Sequence, residues 1–146
     1  MKIAVIGAGS WGTALAQLLA CNGNEVGLWA RKPEVVEAVN ASHANPRYLS
    51  EVELSPRIVA TTSYEEATAE GLRIKAITSI SGDSVRVTPS SVMRDVAGVL
   101  AEAVDDDFPV IICSKGVEEG SGLLPVEVFE AEMGNASRLA VLSGPN

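Results

Sequence analysis

Met1-Lys2-Ile3-Ala4-Val5-Ile6-Gly7-Ala8-Gly9-Ser10-Trp11-Gly12 opens the chain, and its reading decides the fold. Ile3 to Ile6 is a short, continuous apolar run of the kind that forms a strand covered on both faces. Glycines follow at once, spaced G-x-G-x-x-G. Behind them Trp11 to Ala20 carries Leu15, Leu18 and Leu19 on one helical face. Asn22-Gly23 stops that helix, because glycine accepts left-handed backbone. Val26 to Trp29 is then a second strand. A strand, a glycine loop, a helix and a strand within about thirty residues is the setting in which this glycine pattern signifies a dinucleotide-binding turn. Gly7 permits the tight turn, Gly9 lets backbone approach a pyrophosphate, and Gly12 lets the helix pack closely on the strand. The helix N-terminus adds unpaired N–H groups and the positive end of the helix dipole. The alternative is a glycine-rich turn without a ligand.

Just beyond the second strand stand Arg31 and Lys32, and no acid occupies Trp29 to Lys32. A dinucleotide site selective for NAD places Asp or Glu near this point, to accept hydrogen bonds from the ribose 2′-hydroxyl. A carboxylate would repel a 2′-phosphate, whereas an arginine can hold one with two parallel hydrogen bonds. The residues therefore favour NADP(H), with NAD(H) as the second choice. Solvated loop cations are the other reading.

Alternating strands and helices continue to the end of the chain, the signature of a parallel sheet with crossover helices. Pro33 suits the first turn of a second helix, with Val35, Val36 and Val39 facing inward and Asn45-Pro46 breaking it. Lone His43 reads as a polar helix-end residue in preference to a catalytic base. Arg47 to Ser55 is loop, and Ile58 to Thr61 is a third strand. Val92, Met93, Val96, Val99, Leu100 and Ala103 recur with a helical period. Val110 to Cys113 is a strand, Leu124 to Met133 a helix, and Leu139 to Leu142 a last strand. Asp105-Asp106-Asp107 reads as a solvated turn, since three adjacent carboxylates cannot all converge on one ion; no metal site is expected. Thr68 to Thr88 offers two strand candidates, Ile74 to Ile80 and Val85 to Thr88. Each carries a cation, Lys75 or Arg86, where a central strand should be nearly all apolar. The expectation is that the second leads into Pro89 and the first is not the central fourth strand.

Composition excludes several function classes. A net charge of −8 argues against a nucleic-acid surface and an anionic membrane surface. The apolar runs are far too short for a membrane span, and the N-terminus reads as a strand, not a signal peptide. A cytoplasmic location is expected. Two cysteines, Cys21 and Cys113, make no disulfide framework, and Cys113, inside an apolar run, reads as a buried reduced thiol.

Taken together, the motifs resemble bacterial glycerol-3-phosphate dehydrogenases. The matching pieces are Gly7 to Ala16, Asn22-Gly23-Asn24-Glu25-Val26, Tyr48-Leu49, Thr88-Pro89-Ser90, Ser114-Lys115-Gly116-Val117-Glu118 and Leu142-Ser143-Gly144-Pro145-Asn146. The last two weigh most, because a generic dinucleotide-binding domain lacks them. The resemblance implies a doubly wound, mostly parallel α/β sheet (Rossmann-like), incomplete at its C-terminal end. Residues 1–146 would be the dinucleotide-binding domain, without the helical substrate domain that supplies the main catalytic lysine and the phosphate-binding residues. It implies cofactor contacts from Ser10, Trp11, Arg31, Lys32 and Tyr48. Lys115 would lie near both cofactor and substrate, and Gly144 and Asn146 against the substrate. The residues themselves agree on Lys115, which follows a strand at its carboxyl end, where open parallel sheets bind ligands; a plain surface lysine is the alternative. The implied reaction interconverts glycerol 3-phosphate and dihydroxyacetone phosphate, at the entry to glycerophospholipid synthesis, and a homodimer of the full-length enzyme is compatible with it.

One departure falls between Thr61-Thr62 and Pro89, an interval about ten residues longer than the resemblance implies. An insertion, a local reading-frame difference and a natural variant would read alike. Two other functions compete with the oxidoreductase. A cofactor-binding module without catalysis would need the glycine loop but neither Lys115 nor Ser143-Gly144-Pro145-Asn146. A related dehydrogenase acting on a different small substrate is compatible with the fold.

Overall fold

A computed structural model describes residues 1–68, 72–77, 89–103, 109–114 and 116–142; for 72–77, 89–92 and 103 it describes the backbone. The strands are β1 (Lys2–Ile6), β2 (Glu25–Trp29), β3 (Ile58–Thr61), β4 (Leu72–Ile77), β5 (Val110–Ile112) and β6 (Leu139–Val141). The helices are α1 (Ser10–Cys21), α2 (Pro33–Ser42), α3 (Tyr64–Ala67), α4 (Pro89–Ala103) and α5 (Pro125–Met133). The strands form one sheet in the order β3-β2-β1-β4-β5-β6, and every neighbouring pair is parallel. This is the doubly wound arrangement expected from the sequence. Strand order reverses between β1 and β4, and ligands of such sheets bind in the crevice outside the carboxyl ends at that reversal.

Successive residues of β1 face opposite layers. Val5 joins Ala16 and Ala20 of α1 and Val35 and Val39 of α2 in one core. Ala4 and Ile6 join Ala67 of α3, Val96 and Leu100 of α4, and Val128 and Phe129 of α5 in the other. Burying Leu, Ile or Phe side chains this completely contributes about 1.5–3 kcal/mol each. The face α1 turns to the sheet differs from the leucine stripe. Gly12, Thr13, Ala16 and Ala20 are buried, Leu15 and Leu19 flank them, and Leu18 is 60% exposed. Small residues let the helix sit low over β1, which pushes the longer leucines to its sides.

The expectation for the fourth strand is corrected. Ile74 to Ile77 lies within β4, in the middle of the sheet: Ile3 pairs with Ile74, Ile6 with Ile77, and Ile77 with Ile112. Charge on Lys75 argued against this on composition, but strand membership is fixed by backbone N–H and C=O groups, which every non-proline residue offers. The slot between β1 and β5 takes this segment because Ile74 to Ile77 pairs with Ile3 to Ile6 on one side and Lys75 to Ile77 with Val110 to Ile112 on the other, the register shifting once, between Leu72 and Ile74. The competing candidate, Val85 to Thr88, lies outside the described residues, as does Asp105-Asp106-Asp107.

Side chains close the free edge and the short connections. Asn40 of α2 donates to the Ala60 carbonyl at 2.9 Å and accepts from the Ala60 N–H at 2.8 Å. Ile58 N–H bonds Ser55 O at 3.0 Å, and the Trp29 indole donates to Thr62 O at 2.9 Å. Gln17 of α1 grips the loop before β3 through Glu53 O at 3.2 Å and Ser55 N at 2.8 Å. Ser63 caps α3 by accepting from Glu66 N. Tyr64 stacks on Trp29, ring centroids 4.4 Å apart and planes 11° from parallel. Burial, with Asp95 adding to it, pushes the Tyr64 hydroxyl up to about 12, so the stacked ring stays neutral. Below it Gly27 is required by space: a Cβ there would stand 2.7 Å from the Ala67 carbonyl oxygen.

Candidate dinucleotide site

The glycine loop leaves β1 at the strand-order reversal. Gly7 has φ 114°, a conformation that favours glycine, and its N–H bonds Trp29 O at 3.1 Å, which ties the loop to the end of β2. Gly9 is the N-cap of α1, with an ordinary φ of −74° and no side-chain cap on the helix. A Cβ at Gly9 would meet nothing within 4 Å. Neither strain nor internal packing therefore calls for glycine at this position; glycine suits the N-cap and leaves the backbone open to close approach from outside. Gly12 is buried against the sheet, while Ser10 and Trp11 are exposed in the first turn, Trp11 by 51%. No acidic side chain stands in that turn. The loop thus offers the uncapped N–H groups of a helix N-terminus, with no carboxylate of its own first turn beside them, which suits an anion.

Around it the structure places most of the residues singled out in the sequence. Ala30 is buried, its N–H on Thr61 O at 2.9 Å, and it fixes the end of β2. Arg31 is exposed just beyond, and Lys32 is the N-cap of α2. Both stand at the carboxyl edge of β2, the strand that Gly7 touches. Tyr48 is half-buried, and the Arg47 guanidinium lies 5.6 Å from its ring centre with Nε donating to its hydroxyl at 3.2 Å. His43 ends α2 in left-handed backbone, φ 48°, with its N–H on Val39 O and its carbonyl on Leu54 N–H. That is a helix-end role, as the sequence suggested. Lys115, Gly144 and Asn146 lie outside the described residues.

Two features were not read from the sequence. Asn45 was read only as a helix breaker, yet it is fully buried and its Nδ2 donates to Ala8 O at 3.1 Å and to Thr13 Oγ1 at 2.8 Å. The second is a charged cluster that anchors the segment after β5. Arg94 of α4 donates to Glu118 through Nε at 3.1 Å and through Nη2 at 2.7 Å, and its Nη1 bonds Glu132 of α5. Ser121 adds a 2.5 Å bond to Glu118. The Arg94 hydrogen bonds hold the Glu118 carboxyl below the usual carboxylate range, and both carboxylates hold the guanidinium above its own. Nothing local to Arg94 signals partners 24 and 38 positions away. Cys113, at the end of β5, is buried as expected; burial pushes its thiol up, against a smaller opposite pull from a hydrogen bond with the Trp11 side chain. Among the described residues no group of His, Cys, Asp and Glu is arranged to hold a metal, and no helix is long and apolar enough to cross a membrane.

Residues 2–146 match the family described as NAD-dependent glycerol-3-phosphate dehydrogenase N-terminus. The chain belongs to this family. It is 44% identical, over 99% of its length, to a glycerol-3-phosphate dehydrogenase [NAD(P)+] of Parvibaculum lavamentivorans, covering 40% of that protein. Against the protein of the same name from Nitratidesulfovibrio vulgaris it is 45% identical over its whole length, covering 42%. The crystal structure of the Coxiella burnetii glycerol-3-phosphate dehydrogenase superposes with a TM-score of 0.78 at 28% identity, over 97% of this chain and 39% of that one. The chain therefore spans about two fifths of the length of these relatives. Their fold is the one built above, and the dinucleotide-binding reading of the glycine loop agrees with the family's description.

Proposed function

We propose that this chain is the cofactor-binding part of a glycerol-3-phosphate dehydrogenase and that it prefers NADP(H) to NAD(H). The observation that carries the reading is Gly9: a glycine that neither φ nor packing demands, at the uncapped start of α1, over the crevice at the strand-order reversal. When bound, the dinucleotide supplies or takes the hydride. The chain's own residues bind and orient it. The first-turn N–H groups of α1 donate to the pyrophosphate oxygens. Arg31 and Lys32 hold the 2′-phosphate, and no carboxylate stands at Trp29 to Lys32 to repel it. Tyr48, braced by Arg47, borders the same corner.

In the whole enzyme, Lys115, three positions past the last residue of β5 in the sequence, would place its ammonium against the substrate oxygen and favour the charge that develops there. Gly144 and Asn146 would position glycerol 3-phosphate or dihydroxyacetone phosphate. That enzyme would work in the cytoplasm as a homodimer on this small substrate, with no nucleic-acid or membrane partner, at the entry to glycerophospholipid synthesis. Calorimetric titration with NADPH and NADH tests the reading. NADPH should bind more tightly, and Arg31→Asp should cost NADPH roughly tenfold or more, the loss of one charge-assisted pair, while sparing NADH. Equal affinities in the unsubstituted chain would overturn the preference, and no binding of either cofactor would overturn the assignment.

A further inference from the structure

We infer that Asn45 is a positioning residue for the dinucleotide pyrophosphate, acting through the Ala8–Gly9 peptide. The inference rests on the cofactor reading above. Asn45 lies in the connection after α2, thirty-seven positions from Ala8, and has no exposed surface. Its amide is oriented unambiguously: Nδ2 faces the Ala8 carbonyl, which can only accept, at 3.1 Å. Thr13 Oγ1 accepts from the same Nδ2 at 2.8 Å and donates to Ala8 O at 3.3 Å. The Ala8 carbonyl thus points into a buried clasp with two donors.

The chain has no cis peptide among its described residues. In a planar trans peptide the C=O of one residue and the N–H of the next point in opposite directions. Holding Ala8 O inward therefore turns the Gly9 N–H outward, at the glycine whose side-chain position is open space. Asn45 fixes the aim of a donor that it never touches. The same residue steers a second element, since its carbonyl accepts from Tyr48 N at 3.2 Å and Leu49 N at 2.8 Å. One buried residue thus links the glycine loop, through its side-chain amide, to the turn that presents Tyr48, through its main-chain carbonyl. Its Oδ1 is buried with no hydrogen-bond partner.

The test compares Asn45→Ala, Thr13→Val and Thr13→Ser with the unsubstituted chain. Each is titrated with NADPH and with adenosine 2′-monophosphate, which lacks the pyrophosphate, at a temperature where circular dichroism shows all four folded. Asn45→Ala should weaken NADPH roughly tenfold or more, the worth of one well-aimed bond to a charged group, and leave adenosine 2′-monophosphate within about twofold. Thr13→Val should lose several-fold, and Thr13→Ser, which keeps the hydroxyl, should bind like the parent. A merely structural role would lower the melting temperature and move neither affinity, or move both alike; either result overturns the inference. If Asn45→Ala does not fold, the Thr13 pair decides: equal NADPH affinity in Thr13→Val and Thr13→Ser overturns it. Failure of the unsubstituted chain to bind NADPH would strike the cofactor reading itself, whereas normal binding in Asn45→Ala strikes this inference alone.

Discussion

The connections after β2 and after β5 both have to be held near the carboxyl edge of the sheet, and the chain holds them by different chemistry. Around the first, the clamps are neutral amides that bond mainly to backbone: Asn45 to Ala8 O, Asn40 to Ala60, Gln17 to Glu53 and Ser55. Around the second, one guanidinium is gripped by two carboxylates, Arg94 by Glu118 and Glu132. The difference teaches what each support is for. A neutral amide bond is directional and adds no charge, so it can aim backbone donors beside a phosphate site without competing for the anion. A charged cluster anchors two helices and a loop at once. The Arg94 side chain is 39% exposed and that of Glu118 only 8%, so salt screens the cluster from the Arg94 side alone.

The sharpest way to break this comparison is a turnover assay. The first region carries the proposed cofactor contacts, and Lys115 follows β5 in the chain. With dihydroxyacetone phosphate and NADPH, the 146-residue chain should stay well below about one turnover per second, the low end of ordinary enzymes, because relatives devote more than half of their length to parts it does not match. A rate above that would show that the two regions suffice for catalysis. Next in size is Gly27→Ala. The new Cβ would press on the backbone of α3 at 2.7 Å, and overpacking of this kind costs about 1–3 kcal/mol. Urea unfolding that gives an unchanged midpoint would mean that α3 is loosely seated.

Two smaller effects sharpen the contrast between amide and charge. Asn40→Ala should cost about 1 kcal/mol, and the loss should be the same at acid and neutral pH, because no titrating group is involved. For Glu118 the folded carboxyl lies below its ordinary value of 4.5. Its contribution is complete above the unfolded value and is lost as pH falls through the lowered folded one. The urea midpoints of the parent and Glu118→Gln should therefore differ at neutral pH and converge in acid. Midpoints that stay parallel across that range would show that the carboxylate is not what holds the segment after β5.

Legibility in the sequence followed the kind of physics involved. Periodic patterns located β3 to the residue, and α5 and the start of α2 almost as closely, because burial repeats along an element. The glycine loop was readable because its spacing reports backbone conformation directly. β4 was misjudged because a composition rule for covered strands was set against Lys75, while the backbone ladder decided the outcome. Asn45 escaped because its partner lies thirty-seven positions away, and nothing local in Ala44-Asn45-Pro46 reports that distance. Gly27 escaped for a related reason: the atom that forbids a side chain there belongs to Ala67.

The outer rim of β3 has a consequence for the protein in concentrated solution. Unpaired rungs on a terminal strand are templates on which a second molecule can add a strand, and natural sheets must blunt them to avoid aggregation. Here three of the groups that β3 turns away from β2 are already taken: Ile58 N–H by Ser55, and both Ala60 groups by Asn40. At the opposite rim Ala140, Val141 and Leu142 stand exposed. Strand addition at the β3 rim must therefore displace the two bonds of Asn40, so that a residue which helps to hold the fold also blunts the edge against neighbouring copies of the chain.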